Sequence, residues 1–135
     1  MELVTLAFDG DERFQTLRRE LGATSLGINL IRLQPRQRGR IHRHGEQEEI
    51  YVVLAGTLTL VVEGEEHQIR ERQAARVAPD ERRQLVNSSS EPLVLLAIGA
   101  SGDHPGRDGE AFENWDERQG RPPQEVPLPE DLPAG

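Results

Sequence analysis

Gly39-Arg-Ile-His42-Arg-His44-Gly-Glu46-Gln-Glu48-Glu49-Ile-Tyr51 is the stretch on which the reading of this chain turns. On a β-strand, residues two apart face the same side, so His42 and His44 project together with Cα atoms roughly 6–7 Å apart. Two imidazoles so placed can close on one ion. After a turn at Gly45, a carboxylate from the next antiparallel strand can reach the same ion, giving two histidines, one carboxylate and open positions. A lone histidine is more often structural than a ligand. Two of the chain's four histidines at this spacing, followed by acids and a strand, shift the balance toward metal. His67 and His104 lie outside the constellation and read as surface residues.

Composition narrows the chemistry to the same residue types. The chain has 135 residues and no cysteine, and all 16 of its basic residues are arginine. There can be no disulfide, thiolate ligand or thiol nucleophile, so histidine and carboxylate must supply any metal site. Without lysine there is no Schiff base and no P-loop amine. A net charge of -8 argues against a nucleic-acid partner, because phosphate binding draws on accumulated basic charge. The longest uncharged run, from Ile50 to Val62, falls well short of the roughly 20 apolar residues of a membrane span. Met1-Glu2-Leu3 carries no signal-peptide pattern, so the expected compartment is the cytoplasm.

Working outward, short apolar runs are separated by turn residues. They are Leu3 to Phe8, Leu26 to Leu33, Ile50 to Ala55, Thr57 to Val62, Glu65 to Arg70, Ala74 to Ala78, Arg83 to Val86 and Leu93 to Ile98. Their length and β-branched content predict strands of an all-β sandwich or barrel, with Glu63-Gly64 as a hairpin turn. Asp11 to Leu21 carries a weak helical signal. Residues 103–135 hold nine acids against three arginines and six of the nine prolines, so the chain divides into a nearly balanced body, 1–102, and an acidic, Pro-rich C-terminal extension. Within the extension a short helix is expected from Asp108-Gly109 to Gln119, with Phe112 and Trp115 on one face. Those two residues either staple the tail to the barrel or reach across to a second subunit. Pro122 to Pro133 reads as extended, polyproline-like backbone.

These residues resemble the first motif of the cupin superfamily, G-x5-H-x-H-x3,4-E-x6-G, with His42, His44, Glu49 and Gly56 in register. That spacing selects Glu49 over Glu48. The motif's leading glycine would fall at Arg36, whereas the sequence has its glycine at Gly39. The second motif, G-x5-P-x-G-x2-H-x3-N, is eroded. Anchored on Asn87 it puts the histidine at Arg83, the second glycine at Asp80, the proline at Ala78 and the first glycine at Arg72. Anchored on Pro79 it puts the histidine at Gln84. The first register is preferred, because Asn87-Ser-Ser-Ser-Glu-Pro92 then reads as the turn into the next strand.

The resemblance covers most of residues 26–99. It implies a double-stranded β-helix (jelly-roll) barrel, often dimeric, with a divalent metal held by His42, His44 and Glu49. The fourth ligand is missing. A guanidinium cannot ligate, which leaves three outcomes open. Arg83 turns outward, Gln84 substitutes as an oxygen ligand, or the metal is lost and Arg83 pairs with Glu49 in an organic-ligand pocket. With metal, the site favours an anionic oxygen donor, and the ligand set suits iron, manganese, nickel, zinc or cobalt.

Among the arginines crowded before the motif, Arg36, Arg38 and Arg40 would form an anion-guiding rim if extended, though a loop there would leave them solvated. Arg40, Tyr51, Arg83 and Gln84 are the candidate substrate-binding residues. The expected function is binding of a divalent metal and a small organic anion by a homodimer, as an oxygenase, isomerase or lyase. The alternative is a non-catalytic binding or sensing module with a degenerate metal site.

Overall fold

A computed structural model describes residues 1–100 and 109–133. Two five-stranded antiparallel sheets face one another, one ordered β1-β2-β9-β4-β7 and the other β10-β3-β8-β5-β6. The strands are β1 (Phe14–Gln15), β2 (Leu26–Leu33), β3 (Ile41–His44), β4 (Glu49–Ala55) and β5 (Thr57–Val62), then β6 (Glu65–Arg70), β7 (Ala74–Val77), β8 (Arg83–Val86), β9 (Leu93–Ala100) and β10 (Gly109–Phe112). Every run expected to be a strand between Leu26 and Ile98 is one. The core between the sheets is built from inward residues of both, among them Leu33, Val53, Leu58, Leu60 and Leu95.

Glycine chemistry fixes the turns. Glu63 and Gly64 both have positive φ, 48° and 84°, as a two-residue hairpin loop with the strands' own twist requires. Gly56, at φ 83°, sits so close to the neighbouring chain that a Cβ there would lie 2.4 Å from the Pro92 carbonyl oxygen. The motif glycines missing at Arg36 and Arg72 are informative for the same reason. Each arginine occupies the third position of a β-turn at positive φ, 72° and 70°, closed by Gln37 N–H to the Gln34 oxygen and Gln73 N–H to the Arg70 oxygen, both 3.0 Å. The backbone keeps the glycine conformation although the residue has changed, and Arg72 in that state supports the register anchored on Asn87. Asn87 itself is fully buried and ties the 87–92 turn, donating to the Leu33 and Glu91 oxygens and accepting from Ser89.

Three local expectations are corrected. Leu3 to Phe8 is not a strand; Leu3, Leu6 and Phe8 stay exposed, while Val4 packs beside α1. The helix expected over Asp11 to Leu21 shrinks to α1 (Leu17–Leu21), ended by Gly22 at φ 68°, because Phe14–Gln15 pair instead with β2. No helix forms from Gly109 to Gln119; Gly109–Phe112 is β10, hydrogen-bonded along β3 from His44 to Ile41, and Asp108 lies outside the described residues. The free edge of β3 offers ladder hydrogen bonds that outweigh a weak helical signal. Phe112 is buried and stacked between the guanidinium groups of Arg43 and Arg82, 5.3 and 5.5 Å from its centroid. Arg82 also covers Trp115 at 5.7 Å, so both aromatics staple the tail to its own barrel.

After Phe112 the chain turns through Trp115-Asp116 and comes back to pair Arg121 with Ala111, then runs on through a 3-10 turn at Pro123–Glu125, with Val126 buried. Arginines of the β2–β3 loop hold it. Arg40 Nε donates to the Val126 oxygen at 2.6 Å, Arg38 Nε to the Glu130 oxygen at 2.7 Å, and the Arg36 oxygen accepts from Leu132 N–H at 2.8 Å. The 34–40 segment therefore loops, and Arg36 and Arg38 serve as tail anchors rather than as part of an anion rim. No helix among the described residues is long and apolar enough to cross a membrane.

Candidate metal centre and cavity

The two sheets meet around one carboxylate. β3 brings His42 and His44, β8 brings Arg83 as the cross-strand partner of His42, and β4 brings Glu49 and Tyr51 from the opposite sheet. Glu49 Oε1 lies 3.3 Å from His42 Nε2, 3.2 Å from His44 Nε2 and 3.2 Å from Arg83 Nη2, and accepts the Tyr51 hydroxyl at 2.7 Å. Arg83 is wholly buried. Its Nη1 donates to the carbonyl oxygens of Ala78, Pro79 and Glu81 at 3.3, 3.1 and 2.6 Å, and its Nε faces the Tyr51 hydroxyl at 3.3 Å. Arg83 is turned inward and paired with Glu49, the arrangement expected if the metal is lost, yet the ligand atoms of His42, His44 and Glu49 still converge.

Burial pushes the Glu49 carboxyl up, but hydrogen bonds and charge interactions with His42 and His44 outweigh it and hold the group far below the usual carboxylate range. Glu49 is therefore ionised. Burial first, and the Glu49 charge after it, keep the Tyr51 phenol well above its ordinary value, so it is a neutral donor.

The His42 ring carries a further constraint. Nδ1 lies 3.2 Å from the Arg40 carbonyl oxygen, which can only accept, so Nδ1 bears the proton. In the neutral imidazole that leaves a bare lone pair on Nε2, pointing at the Glu49 carboxylate oxygen 3.3 Å away. The contact is attractive only with a proton or a cation between the two atoms. The ligand atoms of His42, His44 and Glu49 all lie within 4.8 Å of one another. Nitrogen–oxygen separations of 3.2–3.3 Å are those of neighbouring ligands on one ion with bonds of about 2.1 Å. The donor set and its spacing fit a divalent metal, with the backbone oxygen of Arg40 fixing the His42 tautomer as an outer partner.

A cavity of about 240 Å³ opens beside this cluster. His42, His44, Glu49 and Tyr51 form its polar end, and Ile31, Leu33, Leu85 and Ala97 its apolar walls. Arg13, Phe14 and Arg40 also line it, together with Gly109, Pro123 and Leu128 of the tail. Of the candidate substrate-binding residues, Arg40 and Tyr51 line the cavity. Arg83 lies behind it, touching Glu49. Gln84 is not brought to it: as the strand neighbour of Arg83 it points the other way and donates to the Gly39 oxygen at 2.9 Å. Sequence reasoning missed Arg13, Phe14, Asn29, Pro123 and Leu128. Only Asn29 left a signal, a polar residue within the apolar run of β2.

Residues 29–99 match the Cupin domain family. The chain belongs to the cupin family. Among solved structures, this cupin is similar to a sugar phosphate isomerase of the cupin superfamily from Silicibacter pomeroyi, at 32% identity and TM-score 0.60 over 64% of this chain and 57% of that one. The chain thus spans little more than half of that protein. It is also similar to a cupin protein from Bacteroides fragilis, at 25% identity and TM-score 0.66 over 73% of this chain and 82% of that one. A Cupin 2 conserved barrel domain protein from Salinispora arenicola shares the fold at 22% identity and TM-score 0.62, over 73% and 87% of the two chains. No curated protein sequence matches the chain.

Proposed function

We propose that this cupin holds a divalent metal ion at His42, His44 and Glu49 and binds a small organic anion beside it in the cavity. The observation that carries the reading is the convergence of His42, His44 and Glu49, whose ligand atoms all lie within 4.8 Å of one another with His42 Nε2 and His44 Nε2 3.3 and 3.2 Å from Glu49 Oε1. Bound there, a divalent ion would polarise a coordinated substrate oxygen. The chain's own residues prepare the site. Arg83 and Tyr51 hold Glu49 in one orientation, Nδ1 of His42 is locked by the Arg40 oxygen, and the apolar walls exclude water. With a dication, the Glu49 charge and the Arg83 charge, the site carries about two net positive charges, favouring carboxylate, phosphate or enolate oxygen. Arg40 lines the cavity, with its Nε committed to the Val126 oxygen of the tail. Isomerisation of a sugar phosphate is the reaction class that the Silicibacter pomeroyi neighbour supports; oxygenase and lyase chemistry use the same open positions.

One observation favours the second reading, a binding or sensing module. Among the described residues, every acid–base side chain lining the cavity is either a proposed ligand or, as Tyr51, hydrogen-bonded to one, leaving no independent general base. Metal analysis tests the main proposal. Protein purified without added metal should carry about one equivalent per chain, the stoichiometry of one such site, and His44→Ala should lose it. Metal-free protein that cannot be reloaded with manganese, iron, nickel, zinc or cobalt would refute it. A metal-loaded protein that binds sugar phosphates without turning them over would select the module. The homodimer belongs to the same proposal, and mass in solution checks it.

A further inference from the structure

We infer that Asn29 reads the far end of the bound anion, through a hydroxyl group on the ligand. The inference rests on the anion-binding reading and adds the residue and ligand chemistry that would set its specificity. Asn29 lies on β2, on the cavity face. Its Oδ1 is the one buried side-chain polar atom without a hydrogen-bond partner among the described residues. The other buried polar side chains are engaged: Arg32, Thr59, Arg83, Gln84 and Asn87 all make hydrogen bonds. A buried amide oxygen left unmade costs stability without return to the fold, and such local conflicts gather where a protein binds something.

Register gives the amide its place. Asn29 is opposite Ala97 on β9, and Ala97 is opposite Tyr51 on β4, so the three form one row across the sheet. Strand spacing puts the Asn29 and Tyr51 Cα atoms roughly 9.5 Å apart. Between them the row carries only the Ala97 methyl group, whereas in the next row the Gln47 side chain covers Gly99, between Glu49 and Gly27. The floor is low only at Ala97, between Tyr51 and Asn29, and the facing wall is Leu85 with His42 and His44. A ligand lying in this trough has its anionic end at the cluster and its other end against the carboxamide.

The cavity, about 240 Å³, lies at the small end of the range for organic-ligand pockets and suits a short molecule. The final torsion of asparagine is broad and nearly two-fold, so either the oxygen or the nitrogen can turn to the trough. A hydroxyl both donates and accepts, and so satisfies either edge. The ligand class is therefore a short hydroxylated acid, with the hydroxyl distal to the charge.

Binding of ω-hydroxy acids from 3-hydroxypropanoate to 6-hydroxyhexanoate, each against the alkanoate that replaces its hydroxyl by methyl, tests this by calorimetry on the manganese-loaded full chain. One length should be preferred over its methyl isostere by about fivefold or more, the worth of one hydrogen bond of ~1 kcal/mol. Asn29→Leu, nearly isosteric, should abolish that preference and retain binding of the alkanoate. Its melting temperature without ligand should be unchanged or a few degrees higher, because an unpaired amide is replaced by an apolar group. No preference at any length, or one that survives in Asn29→Leu, overturns the inference while leaving the anion site standing. A lower melting temperature in Asn29→Leu overturns it too, assigning the amide to the fold. Failure of every acid to bind the wild type overturns the parent reading and this one with it.

Discussion

Replacing Arg83 by histidine should convert the three-ligand cluster into a tighter metal site. Arg83 and His42 are cross-strand neighbours on one face, so an imidazole at position 83 starts beside the existing pair. Arg83 Nη2 lies 3.2 Å from Glu49 Oε1, and an ion bound to that oxygen at ~2.1 Å is within about 5.3 Å of the guanidinium. At about 5 Å, a unit charge and a dication repel by about 1.7 kcal/mol with the dielectric constant of water and about 6.6 kcal/mol at an effective value of 20. Even the smaller figure is more than a tenfold change in affinity. The expectation is a manganese or zinc Kd at least tenfold lower in Arg83→His, measured by competition with a chelating dye. The metal-free variant should be less stable by about 3–5 kcal/mol, because three carbonyls, the Tyr51 hydroxyl and the buried Glu49 charge lose their partner. Excess metal should restore much of this, since saturation at a thousand times Kd adds about 4 kcal/mol. A folded Arg83→His protein with unchanged or weaker affinity would show that the arginine does not oppose the ion.

Tyr51→Phe removes one donor from Glu49 and one acceptor from Arg83 and should cost about 1–3 kcal/mol in urea denaturation, with the cavity otherwise unchanged. Gly56→Ala should cost more than about 3 kcal/mol, because positive φ and a Cβ 2.4 Å from the Pro92 oxygen act together; a loss below 1 kcal/mol would mean that the turn relaxes freely. Arg72→Gly should raise stability by about 0.5–1 kcal/mol, since relief of the left-handed strain exceeds the added chain entropy. Phe112→Ala should cost about 3–5 kcal/mol and free the tail, read as new protease sensitivity beyond residue 109; unaltered digestion would refute the stapling role.

What could be read from the chain and what could not divide along the range of the interactions that decide each feature. The strands from Leu26 to Ile98 are written in local pattern, because each has one buried face and a turn whose residues demand a particular φ. The ligands His42 and His44 follow from period two alone, and Glu49 from the six-residue step to Gly56. β10 was missed for the opposite reason. Nothing within Gly109–Phe112 demands extension; the unpaired edge of β3, more than sixty residues earlier, does. Asn29 is a strand residue by pattern, and only its unpaired oxygen, on a residue that lines the cavity, makes it a candidate binding group. Position 83 lies between these cases. Its register came from a motif in which only Asn87 survived, and the left-handed turn at Arg72 now supports that register from the backbone side. The same register puts Arg83 opposite His42, so the missing ligand and the buried cation are one substitution. A fold that had abandoned the site would have no reason to keep Glu49 ionised between two histidines, a phenol and a guanidinium. On the proposed reading the cluster is a charge-shifted anion site, with Arg83 contributing positive charge where a histidine would have contributed a bond.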